Sequence, residues 1–340
     1  MKVRWFQAAA FGLLTIALVG CPKDGGGENG SKSVELLNAS YDPTRELWKD
    51  LNKAFIAEQK KAGVNVTIKQ SHGASGSQAR AIIDGLQADV ATLALFSDTD
   101  ALRDKGLIPE KWDERLPNRS LPYSSTIVFV VRKGNPKQIK EWADLIKDDV
   151  EVVTPNPKTS GNGKLSFLAA WGSVRKAGGT DADAEEFVRK LYGHVKVLDT
   201  GARGATVTFA QRQMGDVHLT WESEAYLEIE ESKGQLELVY PKTSILAEPH
   251  IAVVDGNVDR KKTRETAEAY LKFLYTDEGQ EIIAKHYYRP SKKEVEEKHR
   301  EKFKAIDLFP VTLIVPTWNE SQKRFFADGA VFDRIYSKKQ

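Results

Sequence analysis

Residues 154–163 read Thr154-Pro155-Asn156-Pro157-Lys158-Thr159-Ser160-Gly161-Asn162-Gly163. An apolar segment precedes them at 150–153 and another follows at 165–171. A short polar turn thus sits between two stretches bound for a core. Three further stretches repeat the order of apolar strand, polar turn and helix start. They are Asn38-Ala39-Ser40-Tyr41-Asp42-Pro43-Thr44, Ser71-His72-Gly73-Ala74-Ser75-Gly76 and Asp199-Thr200-Gly201-Ala202-Arg203-Gly204. In an open α/β sheet such turns gather at the carboxyl ends of the strands.

The first N–H groups of a helix have no intrahelical partner, and each helix start carries about half a positive charge. Several converging starts would offset most of a dianion without a Lys or Arg touching it. Gly73, Gly76, Gly161, Gly201 and Gly204 would let backbone approach such a guest closely. One turn of this kind is ordinary architecture. Four in one chain leave an anion site and plain structure both open. Asp42 suits an N-cap and Pro43 a first helical position. Trp221 closes the apolar 217–221; it reads either as a core aromatic or as an indole N–H donor that cannot accept.

Outward from the turns, the pattern alternates. Strand-like segments at 34–37, 64–70, 90–95, 126–131, 217–221 and 251–254 interleave with helical periodicity at 43–61, 78–86, 260–274 and 278–285. Leu47, Leu51 and Phe55 share one helical face. Apolar strands alternating with helices predict α/β layers around largely parallel sheet. The charge run 294–304 reads as a solvated helix face.

The chain has 340 residues, enough for two domains. Fifty Lys and Arg against forty-eight Asp and Glu give +2, and a mean hydropathy of −0.44 is that of a globular protein. Lys2 and Arg4 supply that excess, so the body is neutral. Neutrality argues against a nucleic-acid partner or a membrane-surface patch, both of which select basic chains.

Residues 1–20 begin with those two cations and continue into an apolar run shorter than the roughly 20 residues that span a bilayer. This is the pattern of a secretory signal. Leu18-Val19-Gly20-Cys21 resembles a bacterial lipobox, which would make Cys21, the single cysteine, a lipid attachment point. Residues 21–32, with Asp24-Gly25-Gly26-Gly27, read as a flexible tether.

Enzyme signatures are weak. Gly161-Asn162-Gly163-Lys164 fails the phosphate-loop pattern, because Leu165 follows and Lys158 stands where a glycine is required. The six histidines lack metal-ligand spacing, and no G-x-S-x-G elbow occurs. Adjacent Ser71 and His72 do not make a nucleophile–base pair. Glu222 and Glu224 read as helix-start charges. No catalytic residue, metal or cofactor is expected.

The four turns, with Thr220-Trp221-Glu222-Ser223-Glu224-Ala225, Ser244-Ile245-Leu246-Ala247-Glu248-Pro249 and Ala269-Tyr270-Leu271-Lys272-Phe273, resemble the periplasmic sulfate/thiosulfate-binding proteins of ABC uptake systems. The likeness runs from about Val34 to the C-terminus. It implies a two-lobed type II binding-protein fold with the ligand in the interlobe cleft. Residues 33–122 and 248–340 would form lobe I and residues 123–247 lobe II, with hinges at 123–128 and 245–251. Main-chain N–H groups of Asp42, Ser75, Gly161, Asn162 and Ala202 would hold the anion, joined by the Ser160 hydroxyl and the Trp221 indole. Asn162 departs from the second glycine usual in the family; its N–H survives, but a side chain needs room. Arg45 and Arg203 are expected behind the site.

The function these residues imply is an extracytoplasmic lipoprotein, monomeric, membrane-bound only through its anchor. It would lie in the periplasm or on the outer face of the envelope and pass sulfate or thiosulfate to a permease. The alternatives are a receptor for phosphate or molybdate and an extracytoplasmic ester hydrolase.

Overall fold

The computed structural model describes residues 32–337. The leader, Cys21 and nearly all of the tether lie outside the described residues. Two four-stranded sheets organise the body. The first runs Ile251–Val253, Val90–Thr92, Lys32–Tyr41, Val64–Gly73, and the second Val152–Val153, Val217–Trp221, Ile127–Arg132, Leu236–Val239.

The predicted parallel pairing holds where a helix links two strands. Lys32–Tyr41 lies parallel to Val64–Gly73 and to Val90–Thr92, and Val152–Val153 parallel to Val217–Trp221. It fails elsewhere. Ile251–Val253 is antiparallel to Val90–Thr92, and Ile127–Arg132 is antiparallel to both neighbours. Each of these two strands enters directly from the other half of the chain, without the crossover helix that forces parallel pairing. The two connecting segments also meet: Ser125 and Ala247 exchange N–H···O bonds of 3.0 and 2.9 Å.

Local patterns become packing. Leu47, Leu51 and Phe55 of helix Arg45–Lys61 are buried against the first sheet, with Trp48 and Tyr270. The 260–274 pattern forms two helices, Asp255–Lys261 and Arg264–Phe273, because Lys262 adopts φ +57° between them. Helix Gly161–Lys176 lies against the second sheet and buries Leu165, Phe167, Leu168 and Trp171.

The C-terminal stretch departs from the expected division. Asp307–Phe309 pairs with Thr243–Ile245, and Phe309, Phe325, Phe326 and Phe332 join the cluster of Phe167, Trp171 and Tyr192. Phe309 fills the notch left by Gly172; a Cβ there would lie 2.2 Å from the ring. Aromatic burial therefore carries these four rings to the second sheet, while Asn319 of the same stretch donates to Asp100 Oδ2 at 2.8 Å, on the helix that follows the first sheet.

Candidate functional site

The site is built from strand ends. Strand Lys32–Tyr41 stops where Pro43 imposes a 3-10 turn over Asp42–Thr44. Strand Val64–Gly73 passes through Ala74, in extended conformation, into helix Ser75–Ile83. Ser160 is the N-cap of Gly161–Lys176, and Gly201 that of the short helix Ala202–Thr206. Trp221 ends its strand and stands as N-cap of Glu222–Glu231.

These five ends converge. Asp42, Ser75, Ser160, Gly161, Asn162, Ala202 and Trp221 all line one small cavity, with Tyr41, Pro43, Ala74 and Ala94. Contact across it is close. A Cβ on Gly161 would lie 2.4 Å from that of Ala94, and one on Gly201 would lie 2.6 Å from an Asp42 carboxylate oxygen.

The lining offers donors. Neither Ala74 nor Gly201 caps its helix with a side chain, so the first N–H groups of those helices stay available. Ser160 Oγ accepts from Gly163 N at 3.3 Å, which leaves its own proton free to donate. Trp221 is fully buried and its Nε1 has no hydrogen-bond partner. Ser75 differs: its hydroxyl is spent on Asp98 Oδ2 at 2.6 Å and Ala94 N at 3.0 Å.

Asp42 is not the N-cap its sequence suggests; Tyr41 is. The Asp42 carboxylate turns to Arg45, 2.8 Å away, which offsets the one negative charge at the cavity. Arg203 reaches Glu46 at 3.0 Å. Neither arginine lines the cavity, and no Lys, Arg or His does. Asn162 resolves its departure by reaching sideways: Nδ2 donates to Leu219 O at 2.9 Å on the neighbouring strand.

The family pattern of the bacterial extracellular solute-binding proteins matches residues 36–289. The chain is 53% identical over 308 residues to the sulfate-binding protein of Escherichia coli K12, covering 90% of this chain and 94% of that one. The chain belongs to the sulfate- and thiosulfate-binding branch of these solute-binding proteins. A thiosulfate-binding member from Pseudomonas aeruginosa is 52% identical, over 89% of this chain and 92% of its own. Among solved structures, the sulfate-binding protein SubI of Mycobacterium tuberculosis matches with TM-score 0.79 and 29% identity, covering 86% of this chain and 99% of that one. The fold is the periplasmic solute-binding protein fold, shared with AfuA of Actinobacillus pleuropneumoniae at TM-score 0.61 and 17% identity.

Two glutamates beside the cavity, Glu222 and Glu224, are buried. Glu222, immediately after Trp221, is fully buried and held by Arg289 and the Tyr240 hydroxyl, each at 2.8 Å. Burial pushes the Glu224 carboxyl up to about 8, only partly opposed by Arg203. Both glutamates do lie in the first turn of their helix, as read from the sequence. His72 hydrogen-bonds Ser40, and Ser71 hydrogen-bonds Gln78, so the adjacent pair forms no catalytic couple. Sequence reading missed Asp98 and Lys164. Sixty-six positions separate them, and no spacing rule links residues that far apart.

Among the described residues, no helix is long and apolar enough to cross a membrane, and no three His, Cys, Asp or Glu are grouped to hold a metal.

Proposed function

We propose that the chain is an extracytoplasmic solute-binding lipoprotein that captures sulfate or thiosulfate and delivers it to the permease of an ABC importer. The observation that carries this reading is the cavity where helix starts, the Ser160 hydroxyl and the Trp221 indole meet with no cationic side chain among the lining. The names of the relatives from Escherichia coli and Pseudomonas aeruginosa support the ligand class.

Sulfate is fully ionised at neutral pH and presents acceptors only. A pocket of donors suits it and disfavours hydrogen phosphate, whose proton needs an acceptor. In this reading the main-chain N–H groups of Asp42, Ser75, Gly161, Asn162 and Ala202 hold the anion, with Ser160 Oγ and Trp221 Nε1. Helix dipoles neutralise its charge. Residues 33–122 with 248–306 form one lobe, and 123–247 with the C-terminal stretch form the other. The paired segments around Ser125 and Ala247 act as the hinge. Cys21 carries the lipid on the outer face of the membrane. The protein works as a monomer and catalyses no reaction.

Isothermal titration of the mature chain against sulfate, thiosulfate, phosphate and molybdate tests the ligand. The expected result is tight binding of one or both sulfur oxyanions and none of phosphate. Binding confined to phosphate or molybdate overturns the assignment. Hydrolysis of a phosphate or sulfate ester that is lost in Ser75→Ala favours the enzyme alternative. Incorporation of labelled fatty acid, abolished by Cys21→Ala, tests the anchor.

A further inference from the structure

Lys164 stands one turn into helix Gly161–Lys176, three residues after Gly161. Its ammonium lies 2.6 Å from Asp98 Oδ1, and the two side chains are only 5% and 6% exposed. Asp98 belongs to the short helix Phe96–Asp100, which follows the first sheet, whereas Lys164 follows the second. The pair therefore spans the space between the two sheets. The other Asp98 oxygen accepts the Ser75 hydroxyl at 2.6 Å, and that hydroxyl accepts the N–H of Ala94, the residue against which Gly161 packs.

One carboxylate thus joins Lys164 from one side of the cavity to Ser75, at a helix start, from the other. A buried ion pair of this kind needs both partners. In an open molecule each would be hydrated on its own side, and on closing each loses water and regains a charge-assisted hydrogen bond. Lys164 is also the cation nearest along the chain to Asn162. With Asp98 taking its charge, the cavity keeps the anion solvated by uncharged donors alone.

We propose that Asp98 and Lys164 are positioning residues for anion capture: their buried pair forms as the two halves close, sets the Ser75 and Gly161 helix starts at their working separation, and latches the closed form. This rests on the oxyanion-receptor reading above. The contrast is Arg203 with Glu46, side chains 26% and 45% exposed, where water screens the attraction and a latch gains little. A latch of this design acts on release of the ligand. Encounter happens in the open form, before the pair exists, so variants should dissociate faster and associate at nearly the normal rate.

The test uses the mature chain, wild type, Lys164→Met and Asp98→Asn, followed by intrinsic tryptophan fluorescence in stopped flow and by thermal melts with and without sulfate. Release is expected to be about tenfold faster or more in both variants, with association changed by less than about threefold. The ligand-free melting temperature should match wild type, while the rise caused by sulfate shrinks. Release within about threefold of wild type overturns the latch. So does an equal loss of melting temperature without ligand, or failure of both variants to fold, since the pair would then be a structural brace. If wild type takes up none of the four oxyanions, the receptor reading fails and the latch falls with it. If wild type binds and the variants match it, the latch alone fails.

Discussion

Gly161 and Ala94 approach so closely that a Cβ on the glycine would stand 2.4 Å from the alanine methyl carbon. Gly161 opens the helix that follows the second sheet, and Ala94 follows a strand of the first. The arrangement seen here has room for a hydrogen at that point and not for a methyl group. Gly161→Ala should therefore oppose closure and leave each half intact. Affinity for sulfate should fall by about 1–3 kcal/mol, the usual cost of overpacking. Ligand-free stability should be unchanged. Titration calorimetry with urea unfolding of the free protein checks both halves of the statement; a normal Kd would show that the two residues separate in the working complex.

Trp221 contributes one unpartnered donor from a fully buried ring that also packs against Tyr41, 5.2 Å between centroids. Trp221→Phe keeps most of the packing and removes the N–H. Sulfate binding should weaken by about 1–2 kcal/mol, the worth of one charge-assisted hydrogen bond. An unchanged dissociation constant would remove the indole from the site.

Asn162 uses its side chain for architecture, through Nδ2 to the Leu219 carbonyl. Asn162→Gly should lower stability by about 1–2 kcal/mol, from the lost buried hydrogen bond and the added backbone freedom. Its N–H remains, so sulfate affinity should change by less than about tenfold, under 1.4 kcal/mol. Urea unfolding and calorimetry on the same sample separate the two effects. A large affinity loss at normal stability would mean that the amide itself serves the ligand.

Stability should fall on both sides of a maximum in pH. Burial pushes the His72 and His250 imidazoles down to about 4. Folded, they hold protons more weakly than unfolded, so stability present above about pH 6.5 is lost as the pH falls towards 4. Glu224 runs the other way. Burial raises it to about 8, so its contribution is complete below the ordinary carboxyl value and is lost as the pH rises towards 8. Urea unfolding across this range should show His250→Phe with a flatter acid limb and Glu224→Gln with a flatter alkaline limb. Slopes identical to wild type would mean that other groups control the profile.

Much of the site was legible before any coordinates. Tyr41-Asp42-Pro43, Ala74-Ser75-Gly76, Ser160-Gly161 and Gly201-Ala202 each carry their own turn chemistry, so four helix starts were expected near them, although the second helix begins at Ser75, three residues before the periodicity read at 78–86. Their convergence was also foreseeable, because βα turns fall on one edge of a sheet. The capping detail at Asp42 was not, since Arg45 competes for the carboxylate once the turn is folded. The reversed direction of Ile127–Arg132 was equally hidden, because a run of five apolar residues reads alike in either orientation.

Periodicity, turn residues and composition settle what a short piece of chain prefers, and here they decided the strands, the helix starts and the donor character of the turns. Properties that join distant pieces arose on folding. Phe309 finds the notch at Gly172, Glu222 meets Arg289, and Asp98 takes the charge of Lys164. Burial of apolar faces brings such partners together, and each buried charge then persists because its counterpart has been brought within hydrogen-bonding reach.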